Sequence, residues 1–170
     1  MDYKQIKDYN RYIIFKTGKI YSKISKKFIK PYLETHKKTG RKDYRVYLYK
    51  NGKKKQFLLA RIIGITFIPN LLNLPEIDHI DRNSLNNDLS NLMWATRAEN
   101  QNNKSIPKNN KLGLRHIQII KHCKNSYRVR LVETTLHPPY SDYFETEEEA
   151  ILVRNAYLDF YDCPYEKIDE

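Results

Sequence analysis

Residues 76–103 read EIDHIDRNSLNNDLSNLMWATRAENQNN, and this stretch decides how the chain is interpreted. Residues 77–80 form an apolar strand fragment that carries Asp78 and His79 side by side. Neighbouring residues on a strand point to opposite faces, so the strand must end or bend here if both side chains serve one site. The following loop, RNSLNNDLSNL, is rich in residues that bond their own backbone, and it is suited to hold such a bend.

The end of the same stretch predicts the start of a helix. Thr96 is expected as the N-cap residue, and Glu99 closes a capping box three residues later. Asn100 then lies in the first turn, where free N–H groups favour anions. An aspartate oxygen and an asparagine oxygen could therefore converge on a hard cation, with a phosphate group nearby.

These parts suffice for metal-assisted hydrolysis of a phosphodiester. Magnesium accepts oxygen ligands from few side chains and completes its shell with water and phosphate. It stabilises the extra negative charge at phosphorus and on the departing 3′ oxygen. A histidine side chain can remove a proton from the attacking water at neutral pH. The alternative is that an Asp-His pair beside an asparagine-rich loop carries no chemistry at all.

Charge is segregated along the chain, whose formal net charge is +11. Residues 1–75 hold 19 Lys and Arg against 4 Asp and Glu, whereas residues 76–104 hold 3 against 5. Residues 105–131 carry 7 basic residues and no acidic ones, and residues 132–170 carry 2 against 11. Two basic blocks around an acidic centre indicate a polyanionic partner. The competing explanation, an AT-rich gene that favours Lys, Asn, Ile and Tyr, does not account for the segregation.

Composition excludes several classes of protein. The longest apolar run, residues 57–68, is interrupted by Arg61 and is too short to span a membrane. The amino terminus, MDYKQIKDYNRY, is too polar for a secretory signal. Cys123 and Cys163 lie far apart and form no CxxC pair, so we expect a reduced, intracellular setting and no structural zinc.

The amino-terminal residues predict two β-hairpins and a helix. RYIIF and KIYS flank Thr17-Gly18, and YRVYLYK and KKKQFLL flank Asn51-Gly52, whose positive φ angles suit a two-residue turn. The basic stretch between the hairpins, KKFIKPYLETHKKTGRKD, is expected to be a loop or a ragged strand. LLARIIGITF has helical spacing and ends at Pro69-Asn70. Tyr47 and Tyr49 are expected in the core.

The carboxy-terminal residues predict three short strands packed by one helix. GLRHIQII, YRVRLVE and YSDYF are the strand candidates, and they follow a polar linker at residues 105–111. Thr146 and Glu149 form a capping box for the helix. Its apolar face is expected to comprise Ala150, Val153, Tyr157 and Phe160.

The order of residues in IDHIDRNSLNNDLSNLMWATRAENQNN resembles the HNH motif of homing endonucleases with a ββα-metal site. The resemblance implies that Asp78 and Asn100 are metal ligands and that His79 is the general base. It also implies that Asn91 pins the loop and that Trp94 packs in the core.

The chain departs from that family pattern at two positions. Arg82 stands where glycine is common, which is expected to alter the turn. Met93 stands where arginine is common, which is expected to remove a phosphate contact. Neither departure touches the three residues that the resemblance assigns to the chemistry.

The flanking sequences resemble DNA-contacting modules. DYNRYIIFKTGKIYS and YRVYLYKNGKKKQFLLARIIGITFIPN are similar to the NUMOD-type module that precedes HNH motifs in phage and intron-encoded nucleases, with Ala60-Arg61 where that module often has His-Arg. The tail is similar to the plant ethylene-response type of DNA-binding domain, on GLRHIQIIKHCKNSYRVRL and YFETEEEAILVRNAYLDFY. In that family a three-stranded sheet enters the major groove and a helix packs behind it.

Basic side chains outside the motif are the candidate DNA contacts. Arg128 and Arg130 alternate with apolar residues, so both project from one strand face, and Arg115 is expected on the preceding strand. Arginine can read guanine bidentately, whereas lysine mostly neutralises the backbone. The remaining candidates are Lys53, Lys54, Lys55, Arg61 and Arg97. The alternative for each is an ordinary solvated surface, and for the three lysines it is the more common outcome.

The sequence therefore predicts an α+β protein with a β-rich module at residues 1–75, an HNH motif at 76–104, a linker at 105–111 and a DNA-binding domain at 112–170. We expect a magnesium-dependent endonuclease that acts on double-stranded DNA and nicks one strand per active site. The rival is a sequence-specific DNA-binding regulator with a decayed motif, and a nuclease for RNA or structured DNA is a third possibility. Whether the chain is a monomer or a dimer is left open.

Overall fold

The computed structural model describes residues 2–103, 106, 110, 112–121, 124 and 126–163. The chain divides into two units, residues 1–100 and 101–170. Residues 1–75 and the strands of the HNH-like stretch thus belong to one unit. Cys123 and most of the linker at 105–111 lie outside the described residues.

The first sheet of the amino-terminal unit is a four-stranded antiparallel meander in the order β1-β2-β3-β4. Its strands are β1 (Tyr3–Gln5), β2 (Tyr12–Phe15), β3 (Ile20–Ser22) and β4 (Lys27–Ile29). The turn between β2 and β3 places Gly18 at φ 78°, as the Thr17-Gly18 signal predicts. Strand β4 comes from the basic stretch that was predicted to be a connection.

The second sheet contains β5 (Tyr32–Thr35), β6 (Lys42–Lys50) and β7 (Lys53–Leu58), again antiparallel and in sequence order. Asn51 and Gly52 have φ of 50° and 74°, so the two-residue turn predicted from Asn-Gly is confirmed. Strand β5 also comes from the basic stretch. That stretch pairs as a strand because it alternates exposed and half-buried side chains along an edge.

Tyr47 and Tyr49 are not core residues, which corrects the prediction. Val46 and Leu48, both fully buried, form the core face of β6. Tyr47 and Tyr49 alternate with them along the strand and therefore point outward. Tyr47 is 37% exposed and stacks on Tyr32 at 5.1 Å between ring centroids.

Helix α1 (Leu59–Phe67) covers the core of this unit with Leu59, Ala60, Ile62 and Ile63. It ends where the sequence predicts, just before Pro69. The core cluster joins apolar residues of both sheets, the helix and the following hairpin, and its most buried members are Ile14, Ile20, Val46, Leu48 and Ile63.

The HNH-like stretch folds as a hairpin followed by a short helix. Strands β8 (Glu76–His79) and β9 (Leu92–Ala95) pair antiparallel, a 3-10 turn covers Leu89–Asn91, and α2 spans Arg97–Asn102. Gly64 of α1 lies directly against Ile77 of β8. The hairpin therefore packs on α1, in the same core as the amino-terminal strands.

The carboxy-terminal unit is a three-stranded antiparallel sheet with one helix, as predicted. Its strands are β10 (Ile117–Ile119), β11 (Tyr127–Leu131) and β12 (Tyr140–Phe144), and α3 spans Glu147–Phe160. The hydroxyl of Thr146 accepts the N–H of Glu149, as a capping box requires. The fold is therefore of the α+β class, as the sequence indicates.

The buried face of α3 differs from the predicted one. Ala150, Arg154 and Leu158, at i, i+4 and i+8, are buried, whereas Phe160 is 81% exposed. Ala150 lies on the buried face as predicted, and Val153 and Tyr157 are half-buried beside it. The face is rotated from the predicted one because Arg154, which helical spacing of apolar residues passes over, is fully buried at its centre. Cys163 is a buried free thiol in the same cluster. Within the part of the chain described, no helix is long and apolar enough to cross a membrane.

Candidate active site

Strand β8 ends at the Asp-His pair, where the sequence requires a bend. The strand stops at His79, and the N–H of Arg82 closes a turn by donating to the His79 carbonyl at 2.9 Å. Arg82 adopts φ 62°, a left-handed conformation in which glycine is free of strain. The turn is thus made with an arginine at the position where the resembling family commonly has glycine.

Asn91 and Asp81 hold the loop between the two strands. The amide nitrogen of Asn91 donates to Asp81 Oδ1 at 2.9 Å and to the Asn86 carbonyl at 2.8 Å, and its oxygen accepts the N–H of Asp81 at 3.0 Å. Asp81 also accepts the N–H of Asn83 at 2.8 Å. The loop is therefore closed by side-chain to backbone bonds, as its composition predicts.

Asp81 remains ionised in this network. Partial burial acts to raise its pKa, but hydrogen bonds from Asn86, Asn83 and Asn91 and the proximity of His79 together lower that pKa below its usual value. The loop therefore presents a stable negative charge close to the His79 ring. Nothing in the sequence alone distinguishes Asp81 from the other polar residues of the loop.

The His79 ring is oriented by Asn87. Its Nε2 lies 3.2 Å from Asn87 Oδ1, and the side chain is buried, with 7% of the residue exposed. An amide oxygen accepts but does not donate, so Nε2 is the donor in this contact. A histidine whose ring is held in this way is suited to act as a base. Asn87 could have been found only as one of several asparagines in the loop.

The capping box places Asn100 at the start of α2. The N–H of Thr96 donates to Glu99 Oε2 at 2.6 Å, and the N–H of Glu99 donates to Thr96 Oγ1 at 3.2 Å. Glu99 is fully buried. The amide nitrogen of Asn100 donates to the Glu76 carboxylate. Glu76 on β8 therefore belongs to the site, although the sequence alone did not identify it. The one sequence feature that pointed to it was its position two residues before Asp78.

His79, Asn100 and Glu76 line one cavity of about 450 Å³. Its other lining residues are Arg41, Asp43, Leu58, Ala60, Arg61, Pro75, Ile77 and Ser84. Asp78 is buried and does not line this cavity, and its Oδ1 accepts the N–H of His79 at 2.9 Å. The structure thus brings two of the three predicted chemical residues together on one surface and keeps the third beneath it.

The oxygen atoms around this cavity fit a hard divalent cation. The Asn100 amide nitrogen donates to Glu76. The amide oxygen accepts no hydrogen bond within the described part of the chain, so it is the atom that can bind a cation. Glu76 and Asp78, two apart on β8, project from the same strand face. Carboxylate and amide oxygens are the ligands that Mg²⁺ prefers. Among the described residues no three His, Cys, Asp or Glu side chains cluster as a metal site, so the amide oxygen is needed.

The predicted DNA-contacting residues of the amino-terminal unit occupy different environments. Lys53, Lys54 and Lys55 are exposed on β7, and the Lys54 ammonium lies 3.8 Å from the Tyr47 ring centroid. Arg97 is exposed at the start of α2. Arg61 donates to the Pro75 carbonyl, and its guanidinium lies 4.7 Å from the Trp94 ring centroid, so it has a structural partner on each side.

The arginines of the carboxy-terminal unit divide into two environments. Arg128 and Arg130 project from the face of β11 opposite Val129, which is fully buried beneath α3. Arg128 donates from Nε to Ser141 Oγ at 3.0 Å, and Arg130 is exposed. Arg115 lies in the turn before β10 and is only 8% exposed, so its predicted place on the strand is wrong by two residues.

Comparisons with known proteins place the hairpin and α2 among nucleases. Residues 73–102 match the family profile of HNH endonucleases. The chain is 36% identical over 104 residues to DNA endonuclease I-HmuI of Bacillus phage SP01, an alignment covering 61% of this chain and 57% of that protein. It is 30% identical over 115 residues to H-N-H endonuclease F-TflII of Escherichia phage T5, covering 66% and 56%.

Two further comparisons agree with these. The chain is 34% identical over 91 residues to the uncharacterized HNH endonuclease L245 of Acanthamoeba polyphaga mimivirus, covering 54% of this chain and 26% of that protein. The solved structure of the HNH homing endonuclease I-HmuI, described as showing DNA binding and cleavage, matches with a TM-score of 0.52 at 36% identity, over 61% of this chain and 57% of that one. The chain thus spans about a quarter of the length of L245 and somewhat more than half the length of F-TflII and I-HmuI.

Proposed function

We propose that this chain is a metal-dependent HNH endonuclease of homing type that hydrolyses phosphodiester bonds in double-stranded DNA. The observation that carries the proposal is the cavity shared by His79, Asn100 and Glu76, in the segment that matches the HNH profile. The relatives named above are phage and viral proteins, and we place the activity inside a host cell.

In this proposal His79 acts as the general base. Asn87 holds the ring through Nε2, and the imidazole accepts the proton of the attacking water. The ring is shielded from bulk water over most of its surface, because only 7% of the residue is exposed. General-base assistance contributes about 10²- to 10⁴-fold to such a reaction, which sets the expected effect of removing it.

The oxygen atoms of Asp78, Asn100 and Glu76 would hold one Mg²⁺. When bound, that ion neutralises the charge that develops on the phosphate and on the departing 3′ oxygen. Glu76 holds the Asn100 amide through its nitrogen, which leaves the amide oxygen for the ion. The Asp78 carboxylate also accepts the N–H of His79, which fixes the backbone between these two side chains. The products would be a 3′-hydroxyl and a 5′-phosphate end.

One HNH segment per chain implies a nick in one strand, and a double-strand break would need two protomers or two events. We propose that Arg128 and Arg130 on the open face of β11 contact the target, and that Lys53, Lys54, Lys55 and Arg97 neutralise phosphates. In this reading residues 1–75 act as a NUMOD-like contact module and residues 112–170 as an ethylene-response-like domain. The open arginine-bearing sheet face with α3 behind it supports the second assignment.

The test is nicking of supercoiled plasmid by the purified chain with enzyme in excess. We expect nicking in Mg²⁺, none in chelator, and a rate at least about 100-fold lower for His79→Ala. Because His79 is buried, His79→Asn serves as a second variant, and affinity for a random-sequence duplex in chelator shows whether each variant is folded. Wild-type nicking that persists in chelator would refute the metal role.

The open arginine face also favours the second candidate, a non-catalytic DNA-binding regulator. The two functions separate in a single selection from a random duplex library. A nuclease enriches cleaved products in Mg²⁺, whereas a regulator enriches bound and intact duplexes in every divalent metal tried.

A further inference from the structure

Arg41 lies far from the HNH-like stretch in sequence but lines the same cavity as His79 and Asn100. It sits between β5 and β6, next to the tight turn in which the N–H of Gly40 donates to the His36 carbonyl at 2.8 Å. The loop between β8 and β9 is hydrogen-bonded to this segment, because the Ser84 hydroxyl donates to the carbonyl of Lys42. The two segments are therefore held together next to the cavity.

A buried carboxylate fixes the direction of the Arg41 side chain. Asp43 is 4% exposed, and its Oδ1 accepts Arg41 Nε at 3.1 Å while its Oδ2 lies 2.7 Å from His36 Nε2. An arginine held through Nε keeps its two terminal nitrogens for another partner. Those nitrogens make no hydrogen bond within the described part of the chain, and the side chain is 56% exposed.

The cavity contains a second arginine with a different role. Arg61 is committed to the Pro75 carbonyl and to the face of Trp94. Arg41 is therefore the cavity arginine whose terminal nitrogens can meet an incoming anion. A planar guanidinium with two adjacent N–H donors matches two oxygens of a phosphate group.

We propose that Arg41 binds the phosphodiester group on which His79 acts and stabilises the charge that develops there. The inference rests on the proposed nuclease function and adds a residue outside the HNH-like stretch to its chemistry. Asp43 is then a positioning residue that acts through Arg41. The arginine also supplies a phosphate contact that Met93 cannot make.

The test compares Arg41→Gln with Lys38→Gln, which removes one positive charge from the same hairpin at an exposed side chain that does not line the cavity. In single-turnover nicking of supercoiled plasmid in Mg²⁺, we expect Arg41→Gln to be about 10- to 100-fold slower, as for loss of a charge-assisted hydrogen bond. Lys38→Gln should change the rate less than about twofold. Arg41→Lys should fall between wild type and Arg41→Gln.

Two further measurements separate chemistry from DNA affinity. The affinity for a random 40-base-pair duplex in chelator should fall only slightly for Lys38→Gln, which loses one charge, and further for Arg41→Gln, which also loses a phosphate contact. Asp43→Asn should slow nicking in the wild-type background and have no further effect on the rate in Arg41→Gln. Equal nicking rates for Arg41→Gln and Lys38→Gln would overturn the proposal.

An NMR titration with inorganic phosphate in chelator tests whether Arg41 binds phosphate, independently of cleavage. Saturable shifts of the amide signals of residues 40–43 are expected for wild type and Lys38→Gln, and at least about tenfold weaker binding for Arg41→Gln. If wild type nicks no DNA but shows this phosphate site, the nuclease proposal fails, and of the Arg41 inference only the phosphate binding stands. If wild type nicks DNA and Arg41→Gln binds phosphate as wild type does, the Arg41 inference fails alone.

Discussion

Gly64→Ala tests whether the close approach of α1 to β8 is required for the site. A Cβ atom at Gly64 would lie 2.3 Å from Ile77 Cδ1 and 2.8 Å from Ile77 Cγ1, with Trp94 Cζ2 at 3.9 Å. Both distances to Ile77 are too short for carbon atoms in contact. The Ile77 side chain or the strand must therefore move, and His79 lies two residues further along that strand.

The expected change in the free energy of unfolding is the difference between two opposing effects of Gly64→Ala. Replacing glycine by alanine inside a helix favours the folded state by about 1 kcal/mol. Forcing a methyl group into occupied space costs about 1–3 kcal/mol. Because two Ile77 atoms are overlapped, we expect the upper part of that range and a net loss of about 1–2 kcal/mol in the free energy of unfolding.

A double-mutant cycle with Ile77→Ala isolates the contact. Ile77→Ala alone should destabilise by about 2 kcal/mol, because the side chain is half-buried. In that background Gly64→Ala meets no clash and should stabilise by about 1 kcal/mol, since only the helix term and a partly filled cavity remain. The sign of the Gly64→Ala effect therefore reverses between backgrounds.

The assay is urea unfolding followed by circular dichroism, with the m-value checked for constancy. Plasmid nicking by Gly64→Ala should fall along with stability, because the displaced strand carries Asp78 and His79. If Gly64→Ala stabilises the wild-type chain by about 1 kcal/mol, the helix and strand do not touch as described and the reasoning is refuted.

Three other substitutions have defined outcomes. Glu76→Gln should raise the Mg²⁺ concentration needed for half-maximal nicking about tenfold with little effect on the urea midpoint, because a neutral amide is a weaker ligand than a carboxylate. Arg82→Gly should keep the loop, whereas Arg82→Val should lose about 1–2 kcal/mol in the same urea assay, because a β-branched residue is strained at φ 62°. Burial, and then the charges of Arg154 and Arg115, lower the pKa of His116 to about 4. Since the pKa of His116 is lower in the folded than in the unfolded chain, its contribution to the free energy of unfolding is fully present above about pH 6.5 and is lost as the pH falls toward 4. The loss is on the order of 3 kcal/mol. His116→Gln should flatten this pH dependence between pH 7 and pH 4.5.

Local chemistry made parts of the fold predictable. The Thr17-Gly18 and Asn51-Gly52 turns specify hairpins because few residues accept their backbone angles. The Thr96 and Thr146 capping boxes mark two helix starts within one or two residues. Each of these signals is complete within four residues of sequence.

The remaining features depend on partners that are distant along the chain. Glu76 is identified by its bond to Asn100, 24 residues away, and Arg41 by a cavity whose other lining residues extend along the chain as far as Asn100. Tyr47 was assigned to the core by residue type and Phe160 by helical spacing, but exposure is set by which strand or helix face meets the neighbouring element. Only the folded chain determines that face.

The packing of α1 beneath the β8–β9 hairpin limits how a segment like this one can be exchanged between genes. A recombination breakpoint at residue 75 would separate Ile77, Leu92 and Trp94 from the helix that packs against them. A breakpoint just after α2, close to the boundary between the two units, leaves this packing and the helix that carries Asn100 intact. Chimeras that inherit residues 1–102 as a block should therefore keep the hairpin, its covering helix and α2 together.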